Sequence, residues 1–165
     1  MKRFYALVAL FFIFSFIVVM PARAVAGPKL KGEMVAHKVV LGSNNEEHFV
    51  SAENVYPNDI IQYELRYTNV GDEPADDVAI TGIIPEGTVY LPKSVSLPKG
   101  SKVLFSIDNG ESYHPEPVEY FVEGPEGKKV KKVATPDMYT NIKWIRNVAL
   151  NVGETLVVHY RVRVR

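Results

Sequence analysis

From Glu33 onward, apolar and polar residues alternate with a period of two along almost the whole chain. In residues 59–69 (DIIQYELRYTN), Ile61, Tyr63, Leu65 and Tyr67 fall on one face and Gln62, Glu64, Arg66 and Thr68 on the other. That is the pattern of a strand with one buried and one wet face. It recurs at 78–84 and at 155–165, where Leu156, Val158, Tyr160, Val162 and Val164 alternate with Val157, His159, Arg161, Arg163 and Arg165. Shorter β-rich pieces lie at 34–41, 48–55, 88–91, 103–107, 117–122 and 142–145, and Lys-rich residues 128–133 read as one more strand, with Val130 or Val133 directed inward. Pro and Gly punctuate these pieces, from Pro57 to Gly153. Nowhere beyond the N-terminal segment do apolar residues hold helical spacing over three turns, so no substantial helix is expected there. The pattern predicts an all-β, antiparallel β-sandwich of about seven to nine strands.

The first 24 residues follow a different rule. Lys2 and Arg3 precede an uncharged run from Phe4 to Met20, then Pro21 and Ala22-Arg23-Ala24. This is the order of a helical signal peptide, with cleavage expected after Ala24, or after Ala26 if Ala24-Val25-Ala26 is used. The run also approaches the roughly 20 apolar residues that span a bilayer, so contact with the membrane is expected only if the segment is retained. Residues 25–42 form a leader that includes a candidate first strand, with the stretch from Gly27 to Gly32 read as flexible, and residues 43–165 form the sandwich. The expected location is therefore outside the cytoplasm: periplasm, cell surface or extracellular space.

Cleavage after Ala24 removes Lys2, Arg3 and Arg23, so 19 basic residues become 16 against 19 acidic and the formal charge moves from zero to −3. A mildly acidic domain gives no reason to expect nucleic acid as a partner. The absence of cysteine excludes disulfides, thiolate metal sites and lipid attachment at cysteine. Roughly 140 residues must then rely on a hydrophobic core, and that length is enough to build one.

Several stretches resemble a known family. Val55-Tyr56-Pro57-Asn58-Asp59-Ile60-Ile61-Gln62-Tyr63, Tyr67-Thr68-Asn69-Val70-Gly71-Asp72-Glu73-Pro74-Ala75 and the strand from Val78 into Ile84-Pro85-Glu86-Gly87-Thr88 resemble the bacterial cell-envelope repeat called domain of unknown function eleven. Residues 106–113, Ile142-Lys143-Trp144 and Asn151-Val152-Gly153-Glu154-Thr155 resemble its downstream half. The resemblance spans about residues 55–164. It implies an immunoglobulin-like sandwich in an exported or surface protein with a structural or adhesive role, and it brings no catalytic residues. Gly82 departs from it, standing where the family commonly carries an acidic residue.

Candidate chemistry is sparse. Asp72, Glu73, Asp76 and Asp77 crowd four carboxylates into six positions, and Asp72, Asp76 and Asp77 are the candidate calcium ligands. A calcium loop supplies six to eight oxygens, commonly from alternate positions, and Pro74 interrupts that order here. The competing reading is a β-turn in which Asn69 and Gly71 tolerate positive φ, Asp72 caps its own turn and Pro74 restricts the exit. Asp108-Asn109-Gly110-Glu111 reads as a hairpin turn, since Asn-Gly suits two positive-φ positions. His37, His48, His114 and His159 lack zinc-ligand spacing, and no nucleophile–base motif is present. No cofactor and no enzymatic activity are therefore expected.

Lys128, Lys129, Lys131 and Lys132 form the one concentrated basic patch, read as a solvated strand or as a binding surface for an anionic polysaccharide, lipid headgroup or acidic partner. Arg161, Arg163 and Arg165 would join it if the last strand lies nearby. Trp144 reads as a core anchor; an exposed Trp beside Tyr90, Tyr113, Tyr120 or Tyr139 would instead suggest sugar stacking or a protein interface.

These features predict an exported, non-enzymatic module acting through a protein partner or self-association. The alternative is a subunit or chaperone of a surface filament, with the leader from Gly27 to Gly42 as an exchanged strand hinged at Asn44-Asn45.

Overall fold

A computed structural model of the protein describes residues 26–165, and the expected signal segment lies outside them. Ten strands follow in order: β1 (Leu30–Leu41), β2 (Glu47–Ser51), β3 (Ile60–Asn69), β4 (Ala79–Ile83), β5 (Thr88–Tyr90), β6 (Ser101–Ser106), β7 (Glu119–Glu123), β8 (Lys129–Val133), β9 (Asn141–Arg146) and β10 (Thr155–Val164). Among the described residues the only helical turns are two short 3-10 turns, Pro125–Gly127 and Pro136–Met138. The described residues are thus all-β, with ten strands where about seven to nine were expected.

The strands form a five-stranded sheet in the order β2-β1-β3-β10-β5, a three-stranded sheet β4-β9-β6 and a separate ribbon β7-β8. Each strand pairing is antiparallel. The alternation seen in the sequence carries directly into burial. Ile61 and Leu65 of β3, Leu156, Val158, Tyr160 and Val162 of β10, and Ile142 and Trp144 of β9 all enter the core between the two larger sheets. Trp144 anchors it: the residue is fully buried, its indole N–H donates to the Ser96 carbonyl at 2.8 Å, and its ring lies 6.1 Å from that of Tyr160 on the facing sheet. Tyr90, Phe105 and Tyr139 form a second aromatic group, with centroids 5.2–5.5 Å apart. Aromatic pairs at such spacings add to area burial.

Two expectations are corrected. The stretch from Gly27 to Gly32 is not a flexible leader, because β1 begins at Leu30 and pairs with β3 from Leu30↔Asn69 to Val39↔Ile60. Backbone pairing along a full-length neighbour holds this polar sequence in place, without the apolar periodicity that would have announced it. Nor does either valine of β8 point inward: Val130 and Val133 remain 41% and 56% exposed, because the ribbon projects as its own two-stranded sheet.

The two main sheets are unequal, and that inequality positions the site. Residues of β1 and β2 that share the inward face of β3, by the pairings Met34↔Leu65 and Lys38↔Ile61 and by Val50↔Lys38, meet no full second layer. Met34 is consequently 62% exposed and Val50 43%. The larger sheet overhangs the smaller on the β4 side.

Candidate functional site

β4 is the outermost strand of the smaller sheet and pairs only with β9. The Arg146 amide donates to the Val78 carbonyl at 2.9 Å and the Ile84 amide to the Thr140 carbonyl at 2.8 Å. In an antiparallel ladder this phase directs the backbone groups of alternate residues toward β9. Those of Ala79, Thr81 and Ile83, all exposed, face the open edge. The Tyr160 hydroxyl, reaching across from the larger sheet, donates to the Ile83 carbonyl.

Beside this edge a recess of about 230 Å³ opens onto the overhang. Tyr63, Leu65 and Tyr67 of β3 and Met34 of β1 line it on one side, and Thr81, Gly82 and Ile83 of β4 on the other. Ile83 is 66% exposed at its rim. A free strand edge over an apolar floor is a template for a further strand: backbone groups supply hydrogen bonds, and the floor receives every second side chain. Gly82 makes the arrangement possible. A Cβ there would lie 2.8 Å from Tyr160 Cε1 and 3.2 Å from Trp144 Cζ3, so only glycine lets both rings approach β4.

The carboxylate loop between β3 and β4 is organised by Asn69. This fully buried side chain donates through Nδ2 to the carbonyls of Glu73 (2.7 Å) and Leu150 (3.0 Å), while Oδ1 accepts from the amides of Gly71 (3.0 Å) and Lys29 (3.3 Å). Asp72 Oδ1 accepts from the Gly27 amide at 2.6 Å. The loop thus clamps the start of the described chain. Positive φ falls at Asp77 (50°), not at Asn69 or Gly71, the two residues that tolerate it. Gly71 is required for another reason: a Cβ there would lie 2.3 Å from the Gly27 carbonyl oxygen.

The structure does not gather Asp72, Asp76 and Asp77 into a ligand set; among the described residues no group of three or more His, Asp or Glu side chains is placed to hold a metal. Millimolar calcium is accordingly expected to leave the thermal unfolding midpoint where chelator leaves it. A ligand of the folded state alone would raise that midpoint, and a rise would overturn this expectation.

Asn109 and Gly110 have φ of 58° and 90°, and the Glu111 amide donates to the Asp108 carbonyl at 3.3 Å, the tight turn expected of Asn-Gly. The Asp108 carboxylate accepts from the Ser106 and Ser112 hydroxyls and the Ser112 amide, and these bonds hold its pKa well below the usual carboxylate range. The histidines are scattered: His37 stands edge-on to Phe49, His114 approaches Ser112, and His159 is half-buried, with its pKa lowered by burial and by Arg161.

Lys129, Lys131 and Lys132 lie on β8, and Lys128 immediately precedes it. The ribbon leaves the body at Val118 and returns at Ala134, both buried and joined by the Ala134 amide to the Val118 carbonyl at 2.8 Å. Phe121 stands opposite Lys131 and is 65% exposed. The segment before the ribbon pairs with β6 through Phe105 and His114, so the ribbon springs from the edge of the sandwich opposite β4. Arg161 does not join the lysines. It forks onto Glu47 at 2.6 and 2.7 Å, while Arg165 donates to the Asp137 carbonyl.

The sequence reading placed β4 correctly but not the recess beside it. The inward positions of β1, Leu30, Gly32, Met34, Ala36 and Lys38, mix apolar residues with glycine and lysine, so alternation there gave no clear signal. No family model, curated protein or solved structure matches this chain.

Proposed function

We propose that this protein is an exported, non-enzymatic β-sandwich of the bacterial cell envelope or surface that works by binding a protein partner in extended form. The open edge of β4 above the uncovered floor of β1 and β3 carries this reading, because its free backbone groups and apolar lining suit a strand far better than a small polar substrate. The signal-like N-terminus and the resemblance to the envelope repeat support the location.

An eight-residue peptide of alternating valine and lysine, titrated to millimolar concentration, is expected to shift the amide resonances of Ala79, Thr81 and Ile83 and the methyl of Met34. Shifts confined to loops away from β4, or none, would overturn the reading.

A further inference from the structure

The ribbon and the recess are complementary, and they sit on opposite edges of one molecule. We propose that the β7–β8 ribbon of one copy docks on the open edge of β4 in the next, so that the protein assembles head to tail; this rests on the strand-binding reading above and names its partner as a second copy of the chain.

Both sides of the contact are incomplete alone. β4 directs the backbone groups of Ala79 and Thr81 outward, and the sheet β7-β8 has only two strands, so each ends in an unpaired edge. Exposed edges of this kind are templates for pairing. One face of the ribbon exposes Phe121 and Val133, and the recess offers an apolar floor containing Met34, Tyr63 and Tyr67 to receive such side chains.

Charge selects the pairing. Asp76 and Asp77 lie directly before the strand that β4 continues, with Asp72 and Glu73 in the same loop, and Lys129, Lys131 and Lys132 lie on β8. Opposite patches steer an encounter and set its register. Within the ribbon Glu119 of β7 pairs with Lys131 at 2.5 Å, so Lys129 and Lys132 are the cations it offers to that acidic loop. Because donor and acceptor occupy opposite sides of the sandwich, the contact is heterologous, and such contacts propagate as open chains unless a rotation closes them.

The test uses protein purified from cells expressing the whole chain. Thr81→Pro removes an N–H that points to the open edge, leaving the β9 ladder intact, a position where a strand tolerates proline. Phe121→Asp disables the ribbon at an exposed site. At low salt, light scattering on the wild type is expected to show a mass that rises with concentration, weakening about tenfold or more at high salt as the charges are screened.

Each variant alone is expected to stay monomeric, and an equimolar mixture to form one heterodimer and stop. A wild type that stays monomeric to millimolar concentration overturns the proposal, as does a Thr81→Pro protein that still associates or a mixture that does not dimerise. Should Thr81→Pro fail to fold, Met34→Lys, at an exposed residue of the floor, takes its place in the same mixture. If the valine–lysine peptide still shifts β4 while the wild type remains monomeric, self-recognition fails and the strand-binding reading stands; if neither occurs, both fail.

Discussion

Gly82→Asp is expected to destabilise the fold by about 4 kcal/mol, measured by urea unfolding followed through the fluorescence of Trp144, the one tryptophan of the chain. The first contribution is steric. A Cβ at this position meets Tyr160 Cε1 at 2.8 Å and Trp144 Cζ3 at 3.2 Å, and both rings belong to fully buried residues with little room to yield. Overpacking of that kind costs typically 1–3 kcal/mol. The second is electrostatic, since the new carboxyl would lie against two aromatic rings, where the charged form is disfavoured. Gly82→Ala carries only the first and should lose about 2 kcal/mol. A Gly82→Asp protein within about 1 kcal/mol of the wild type would show that the rings move aside.

Asn69→Ala should cost about 3 kcal/mol and release the N-terminal part of the described chain. Its side chain satisfies two carbonyls and two amides at once, and removing it takes the partner from the Glu73 carbonyl and from the Gly71 and Lys29 amides, all in part-buried bonds, while the Leu150 carbonyl keeps the Ala75 amide at 3.0 Å. Leaving a buried polar group without its partner costs about 1–3 kcal/mol. Hydrogen exchange separates this from a general loss of stability. The amides of Lys29 and Val70, the latter bonded to the Lys29 carbonyl at 2.7 Å, should exchange faster before the core strands β9 and β10 do. Asn69→Asp keeps the acceptor for Gly71 and Lys29 but sets a buried carboxylate oxygen against the Glu73 and Leu150 carbonyls, and should cost at least as much as alanine. Uniform acceleration across the whole molecule would mean that Asn69 does not act locally.

These two residues show where sequence reading succeeds and where it stops. β3 and β10 were legible because each is long, alternates cleanly and is buried on one face, so periodicity alone locates it. The Asn109-Gly110 turn was legible because its backbone conformation restricts which residues can occupy it. β1 was only partly legible, since its inward face is half uncovered and selection for apolar residues there is correspondingly weak. The ribbon was misjudged in orientation for a related reason: valines set among lysines look the same whether a strand packs on the core or stands clear of it.

The carboxylate loop illustrates a different limit. Asp72, Asp76 and Asp77 attract attention as charges, but Asn69, a neutral residue, does the organising, and only three-dimensional proximity to Leu150 and Lys29 reveals it. The recess beside β4 belongs to the same class, because it exists through a mismatch in size between two sheets, a property of no single segment.

The register of the larger sheet has a mechanical consequence. β1 and β10 both run antiparallel to β3, so the start of β1 at Leu30 and the end of β10 at Val164 lie at opposite ends of the same three-strand block. Tension between those two points pulls along the strands and loads the β1–β3 and β3–β10 hydrogen bonds in shear, all together rather than one after another, since the bonds of antiparallel pairs lie across the strands. A chain held at its N-terminal side and drawn from the other would resist extension with its longest ladders, while the β7–β8 ribbon, off that line, would carry none of the load.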